Sequence, residues 1–257
     1  MKEIKMSIPK VIHYCWFGGK PLPKSAEKCI KSWQKYCPNY EIKRWDESNF
    51  DVNCNEYCKF CYENQKWAFL TDYTRLKIVY DNGGVYLDTD VELLKPLDKL
   101  LENGAYMGFE DDQAVATGLG FAAKKGHHFI GENMRYYENL TEFSVLRSCP
   151  KITTELLVAH GLKENDGTIQ EVANINLYPP EYLCPKNERS GLTNKTKNTY
   201  SIHHFDSSWF EKSWKEGQKK RWRREKLRYI VHIPNMLLMR LLGDKNYAKL
   251  KALLKRG

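Results

Sequence analysis

Residues 83–92 read GGVYLDTDVE. A glycine pair leads into a short apolar run, and Asp88 and Asp90 stand at its end with one residue between them. In an extended segment, side chains two apart share a face, so both carboxylates reach one small volume. Two bare carboxylates there repel, and one is pushed to keep its proton. A divalent cation removes the conflict, because it takes oxygen ligands readily. A cation that also holds phosphates stabilises a departing diphosphate as charge builds on it. The same tripeptide also suits a solvated acidic turn after a strand, and spacing alone does not choose between the two.

The flanking elements must do the positioning. Residues 8–17, IPKVIHYCWF, are β-branched and aromatic, end at Gly18-Gly19, and predict a strand. Residues 25–36 carry Ala26, Cys29, Ile30 and Trp33 at helical spacing. Residues 40–45, YEIKRW, predict a second strand, and Ala68, Leu70, Tyr73, Leu76, Val79 and Tyr80 predict a helix over 67–80. Asp81-Asn82-Gly83-Gly84 stops that helix, since glycine accepts the left-handed turn at a helix end. Residues 85–87 then form a short strand. This strand–helix alternation predicts an α/β domain with a mostly parallel sheet, whose ligands bind at the carboxyl ends of strands. Farther on, 105–109, 118–123, 174–178 and 199–205 predict strands, and 152–160 a helix.

Composition bounds the alternatives. Hydrophobic residues are 42% and charged residues 28% of the chain, as in an ordinary globular protein. The opening MKEIKMSIPKVIHYCWFGG has a short apolar stretch and no small-residue cleavage site, so a secretion signal is not expected. No stretch offers about 18 uninterrupted apolar residues, so no spanning helix is expected. The eight cysteines are expected to be reduced cytosolic thiols. Cys54, Cys58 and Cys61 cluster, but they lack an evident fourth ligand and the paired spacing of a zinc site. The net charge of +9 is concentrated: residues 211–257 hold 15 basic and 4 acidic groups. Two domains are expected, a body over 1–210 and a basic amphipathic helical tail over 211–257. In that tail Tyr247, Leu250 and Leu254 recur at helical spacing beside Lys249, Lys251, Lys255 and Arg256. Such a helix suits an anionic membrane surface, or else packs its apolar side on the body. Basic residues interleaved with Trp also occur in RNA binders, but the body offers no recognition motif, so no nucleic acid is expected.

The run FLTDYTRLKIVYDNGGVYLDTDVE resembles the signature of DXD-motif glycosyltransferases. It is most similar to the family of yeast mannosyltransferases and bacterial capsular polysaccharide sugar transferases, glycosyltransferase family 32. IPKVIHYCWFGG, CIKSWQKYCPNYEIKRWDE, NLYPPEYLCP and SIHHFDSSW resemble further segments of that family in the expected order, with Ser207 where the family usually has glycine. The resemblance implies a Rossmann-like GT-A fold, a retaining transfer of a hexose from a nucleotide-sugar, a UDP-sugar by preference, and Mn²⁺ or Mg²⁺. It implies a glycan acceptor and a role in bacterial capsule or surface polysaccharide synthesis. With no secretion signal expected, the place expected is cytoplasmic, and the basic tail would suit a position on the inner face of the cell membrane and a lipid-linked acceptor.

Residue roles follow from the resemblance. Asp88 and Asp90 match the DXD pair, with Asp90 the direct metal contact and Asp88 a contact to metal or ribose. Asp72 and Arg75 share a helical face and match a donor-sugar contact, with Arg75 also catalytic; a surface ion pair is the plain alternative. On the first strand Tyr14 and Trp16 alternate, one to stack on the nucleotide base and one to fill the core, and Trp16 is preferred for the base. Gly84 and Tyr86 line the donor site. A third metal ligand comes from His203 or His204, of which only one can point inward. His204 is chosen, because related transferases place that ligand three residues before a glycine-type turn. Ser208 and Trp209 are expected near the diphosphate. Glu110, Asp111 and Asp112 are candidates for acceptor hydroxyls or for a solvated acidic loop. Two other functions compete: a metal-dependent phosphohydrolase on the same carboxylates, and a non-catalytic nucleotide-sugar binding protein.

Overall fold

The computed structural model describes residues 7–143, 146–206, 213 and 215–230. Among them the strands are β1 Val11–Cys15, β2 Glu41–Trp45, β3 Gly84–Tyr86, β4 Val91–Leu93, β5 Tyr106–Phe109, β6 Val115–Ala116, β7 Phe121–Ala123, β8 Gln170–Val172, β9 Ile175–Tyr178 and β10 Ser201–His203. The helices are α1 Lys24–Tyr36, α2 Glu56–Glu63, α3 Trp67–Asn82, α4 Asp98–Glu102, α5 His128–Glu138, α6 Cys149–Ala159 and α7 Pro180–Leu183.

The chain divides into two compact units, one of residues 1–186 with 193–209, the other of 187–192 with 210–257. The first holds a sheet in the order β2-β1-β3-β7-β5-β9-β8, with β6 paired to β5, and a separate ribbon of β4 and β10. β2, β1 and β3 run parallel, as do β5 and β9. β7 enters antiparallel between β3 and β5, so the sheet is mixed at its centre. β1 is buried almost end to end, whereas β2 is half-exposed along most of its length. That contrast separates a strand covered on both faces from one at the edge.

α3 lies in the centre of the packing. Leu70, Tyr73, Leu76, Ile78 and Val79 are buried on it, and so are Asp72, Thr74 and Arg75. Gly83 ends the helix at φ 69°, its N–H donating to the Val79 carbonyl at 2.8 Å. Gly84 follows at φ 106°, where a Cβ would stand 2.9 Å from the Val11 carbonyl oxygen and 3.0 Å from His13 Nε2. The glycine pair thus provides both the turn and room for strand β1. His13 is buried; Trp45 Nε1 donates to its Nδ1 at 3.1 Å, so its Nε2–H donates to the Gly83 carbonyl at 2.9 Å. This neutral ring ties β1, β2 and the turn before β3 together.

Several expected elements shift. The strand over 118–123 is a 3₁₀ turn at Thr117–Leu119 followed by β7. Helices α2 and α5 were not legible as helices in the sequence. Asn55 caps α2, its Oδ1 accepting the Cys58 N–H. α5 contains Gly131, where a Cβ would meet Tyr80 Cε2 at 2.6 Å, so close packing on α3 puts a helix-weakening residue mid-helix. All eight cysteines are free.

In the second unit, residues 215–230 are helical. Trp222 Nε1 donates to the Glu188 carbonyl at 2.7 Å. Leu227, Tyr229 and Ile230 are exposed. Among the described residues no helix is long and apolar enough to cross a membrane. The amphipathic stretch expected around Tyr247, Leu250 and Leu254 lies outside the described residues.

Candidate active site

The D-T-D segment leaves β3 and becomes a turn, closed by the Val91 N–H donating to the Asp88 carbonyl at 3.0 Å. The two carboxylates therefore converge through turn geometry, not through strand alternation as the spacing alone suggests. Around this turn the buried Trp33 of α1 donates its Nε1–H to the Val91 carbonyl at 2.7 Å. β4 then pairs antiparallel with β10, with His203 opposite Val91.

That register decides the histidine. His203 Nε2 stands 3.3 Å from Asp90 Oδ1, and His203 Nδ1 stands 3.9 Å from Glu110 Oε1. His204 projects to the other side and meets Glu92 Oε2 at 2.8 Å. The structure thus places His203 at the aspartates and corrects the choice of His204. Neighbouring residues on a strand face opposite ways, and pairing with Val91 selects the parity. Phe205 follows at φ 56°, an unusual conformation for a bulky residue that costs of order 1 kcal/mol. Just beyond it, the Asp206 N–H donates to Asp90 Oδ2 at 2.9 Å.

Asp88, Asp90 and His203 each offer one ligand atom, and these atoms all lie within 4.8 Å of one another. Two carboxylate oxygens and an imidazole nitrogen so spaced fit a single divalent cation. The side chains of Asp88 and Asp90 keep 24% and 17% exposure, so the group opens outward. Burial alone would lift the Asp90 carboxyl, but the neighbouring His203 and the Asp206 N–H more than reverse this and hold it at about 2. His203 is correspondingly raised well above its ordinary value, its own burial outweighed by Asp90. Asp88 is raised, mainly by burial, against the pull of Arg75.

Behind these groups Arg75 is buried and crosses between two carboxylates. Its Nη2 stands 3.0 Å from Asp72 Oδ1 and 3.4 Å from Asp88 Oδ1. Nε donates to the Thr71 carbonyl at 3.1 Å and Nη1 to Thr117 Oγ1 at 3.4 Å. The Tyr86 hydroxyl donates to the same Asp88 oxygen at 2.9 Å. Asp72 is buried too, and its carboxyl is raised to about 6, chiefly by burial. Arg75 Nη1 also donates to Cys149 Sγ at 3.8 Å, at the start of α6. The pair Asp72–Arg75 is therefore an internal brace joining α3, α6 and the Asp88 turn, not a surface ion pair.

The remaining candidates are spread around this centre. Tyr14 is buried edge-on against Trp33 at 5.6 Å, the core aromatic of the two. Trp16 is half-exposed, its Nε1 donating to the Lys20 carbonyl at 2.6 Å. Gly84 and Tyr86 are buried on β3. Asp111 is exposed, and its Oδ1 accepts from the N–H groups of Gln113 and Ala114, which shapes the loop. Asp112 is exposed and near Asn165 Nδ2 at 3.4 Å. Ser208 and Trp209 lie outside the described residues. Glu110, expected in the acidic loop, stands 3.9 Å from His203 Nδ1 instead. One residue escaped the sequence reading of the site. Gly118 is pressed against the site, where a Cβ would stand 2.6 Å from Asp88 Oδ2 and 3.1 Å from Arg75 Nη1.

Fold and site define an α/β protein with a carboxylate–histidine centre beside an aspartate-braced arginine, at the ends of sheet strands. Residues 23–107 match the family described as glycosyltransferase sugar-binding region containing DXD motif. Inositol phosphoceramide mannosyltransferase 3 of Schizosaccharomyces pombe is 31% identical over 152 residues, 57% of this chain and 41% of that protein. Inositol phosphoceramide mannosyltransferase 1 of the same yeast is 26% identical over 148 residues, 53% of this chain and 44% of that protein. The chain thus spans less than half the length of these relatives. Among solved structures, the PaToxG glycosyltransferase has a TM-score of 0.48 at 20% identity, over 60% of this chain and 70% of that one. The galactosyltransferase LgtC, in complex with donor and acceptor sugar analogs, has a TM-score of 0.44 at 13% identity, over 84% and 95%.

Proposed function

We propose that this chain transfers a hexose from a nucleotide-sugar, a UDP-sugar by preference, to a glycan hydroxyl, with Mn²⁺ or Mg²⁺ held by Asp88, Asp90 and His203. The observation that carries this reading is the convergence of Asp88 and Asp90, within the DXD-containing region, with His203 brought to them by β10. A cation bound there supplies positive charge against a departing diphosphate. The protein's own part is preorganisation. Asp206 N–H and His203 hold Asp90 ionised. Tyr86 and Arg75 orient Asp88, and Asp72 in turn holds Arg75 so that its planar fork is fixed before donor arrives. Groups fixed in advance lose little on reorganisation as charge develops. Trp16, half-exposed at the end of β1, is the base-stacking candidate.

Retention of the anomeric configuration is part of the proposal, by a front-face route in which leaving diphosphate and acceptor hydroxyl meet on one face of the sugar. A bacterial surface polysaccharide is the proposed setting. The basic residues of 211–257 are proposed to meet an anionic membrane carrying a lipid-linked acceptor. The identity to inositol phosphoceramide mannosyltransferase 3 favours a second reading, in which the sugar is mannose and the acceptor an inositol phosphate lipid.

The test is incubation with a panel of UDP- and GDP-sugars, with Mn²⁺ and acceptors of both kinds, followed by mass spectrometry and product NMR. Release of one nucleoside diphosphate matched by a glycosylated product of retained configuration supports the proposal. Phosphate release from simple esters without sugar transfer would replace it with the phosphohydrolase reading.

A further inference from the structure

The cysteine cluster that the active site leaves unused has a built geometry of its own. Cys54 is exposed, while Cys58, four residues on, is fully buried in the first turn of α2. Each thiol is the largest influence on the other. Cys54 Sγ accepts from Asn55 Nδ2 at 3.7 Å. Asn55 caps α2 by accepting the Cys58 N–H at 2.8 Å, which fixes both sulfurs at the positive end of the helix. Asn55 thus touches the accessible Cys54 sulfur with its amide nitrogen and the Cys58 backbone with its amide oxygen, which holds the two cysteines together. The neighbouring Cys58 thiol lowers the Cys54 thiol, and Cys58 is raised in turn. Asp51 opposes the shift and Lys77 assists it. Cys61 is apart from this arrangement; it is buried, and its thiol is raised to about 12 by burial. A low, accessible thiolate beside a resolving thiol is the environment in which cysteines oxidise selectively.

We propose that Cys54 and Cys58 form a peroxide-oxidisable dithiol. The Cys54 thiolate attacks one peroxide oxygen, the O–O bond breaks, and the second oxygen leaves as water after taking a proton. The Cys58 sulfur then attacks the Cys54 sulfenic acid, forming the S–S bond and releasing a second water. Two thiols and one hydrogen peroxide yield one disulfide and two waters, with two electrons passing to the peroxide.

Both cysteines fall on the tryptic peptide of residues 45–59, so one mass reports the reaction. The full chain is treated with equimolar hydrogen peroxide, quenched with iodoacetamide and digested. Native reduced protein is expected to label at Cys54 and not at Cys58. After peroxide, the peptide is expected to lose two hydrogens, resist iodoacetamide and return to its starting mass with dithiothreitol. Cys58→Ser is expected to stop at a sulfenic acid trapped by dimedone, and Cys61→Ser to behave as wild type. A wild-type peptide that keeps its mass, or that gains oxygen at Cys54 without forming the disulfide, overturns the proposal. These readouts require no nucleotide and no metal, so their failure leaves the transferase reading untouched.

Discussion

Asp90 and His203 stabilise each other's charged forms, and the pH dependence of that pair has a definite sign. The folded Asp90 carboxyl lies near 2, below its value in an unfolded chain. Its contribution is therefore complete above about pH 4 and is lost as pH falls toward 2. His203 is raised, so its contribution is complete below about pH 6.5 and disappears as pH climbs through its folded value. Asp72, lifted to about 6, acts in the opposite sense, costing stability as pH rises from about 4 to 6. In urea titrations, Asp90→Asn is expected to be less stable than wild type by of order 2 kcal/mol near pH 6, with the gap closing toward pH 2. Metal ligation needs His203 without its proton, so Mn²⁺ affinity is expected to rise with pH and binding to release a proton. Calorimetry in buffers of different ionisation enthalpy measures that release. At Gly118 the expectation is steric. Gly118→Ala forces a methyl toward Asp88 Oδ2, and Mn²⁺ affinity is expected to fall at least tenfold while far-UV circular dichroism stays unchanged.

At the scale of elements, the site hangs on two attachments. α1 holds the D-T-D turn through the Trp33–Val91 hydrogen bond, and α3 holds it through Arg75. Trp33→Phe keeps an aromatic ring but removes the donor from a buried carbonyl, and is expected to cost about 1–3 kcal/mol in denaturant unfolding. Much of this arrangement is readable from residue order. Apolar spacing marks α3 and its stop at Gly83, and Asp72 and Arg75 fall on one face by counting. The choice between His203 and His204 is not readable, because parity depends on which residue of β10 meets Val91, a pairing more than a hundred positions apart in sequence. Nor does the sequence show that Gly118 is pressed against Asp88, since a close approach leaves no local trace. The antiparallel entry of β7 is equally hidden: a three-residue strand after a 3₁₀ turn has too short a pattern to give a direction.

At the scale of the whole molecule, charge is divided as the chain is. The basic excess lies in residues 211–257, while residues 1–210 hold 26 basic and 28 acidic groups. Flotation with vesicles of anionic and of neutral lipid is expected to recover the full chain only with the anionic kind, and salt is expected to release it, since surface charge attraction is screened. Equal recovery of a chain lacking 211–257 would move any membrane contact to the body.

Asp88, Asp90 and His203 are proposed to hold a cation that in turn holds a nucleoside diphosphate. The most direct measurement is titration calorimetry of UDP and GDP into the full chain, with Mn²⁺ and with EDTA, on wild type, Asp90→Ala and His203→Ala. One nucleotide is expected to bind only with Mn²⁺, and each substitution is expected to weaken it at least tenfold while His204→Ala does not. Equal binding in EDTA, or loss with His204→Ala and not with His203→Ala, would contradict it.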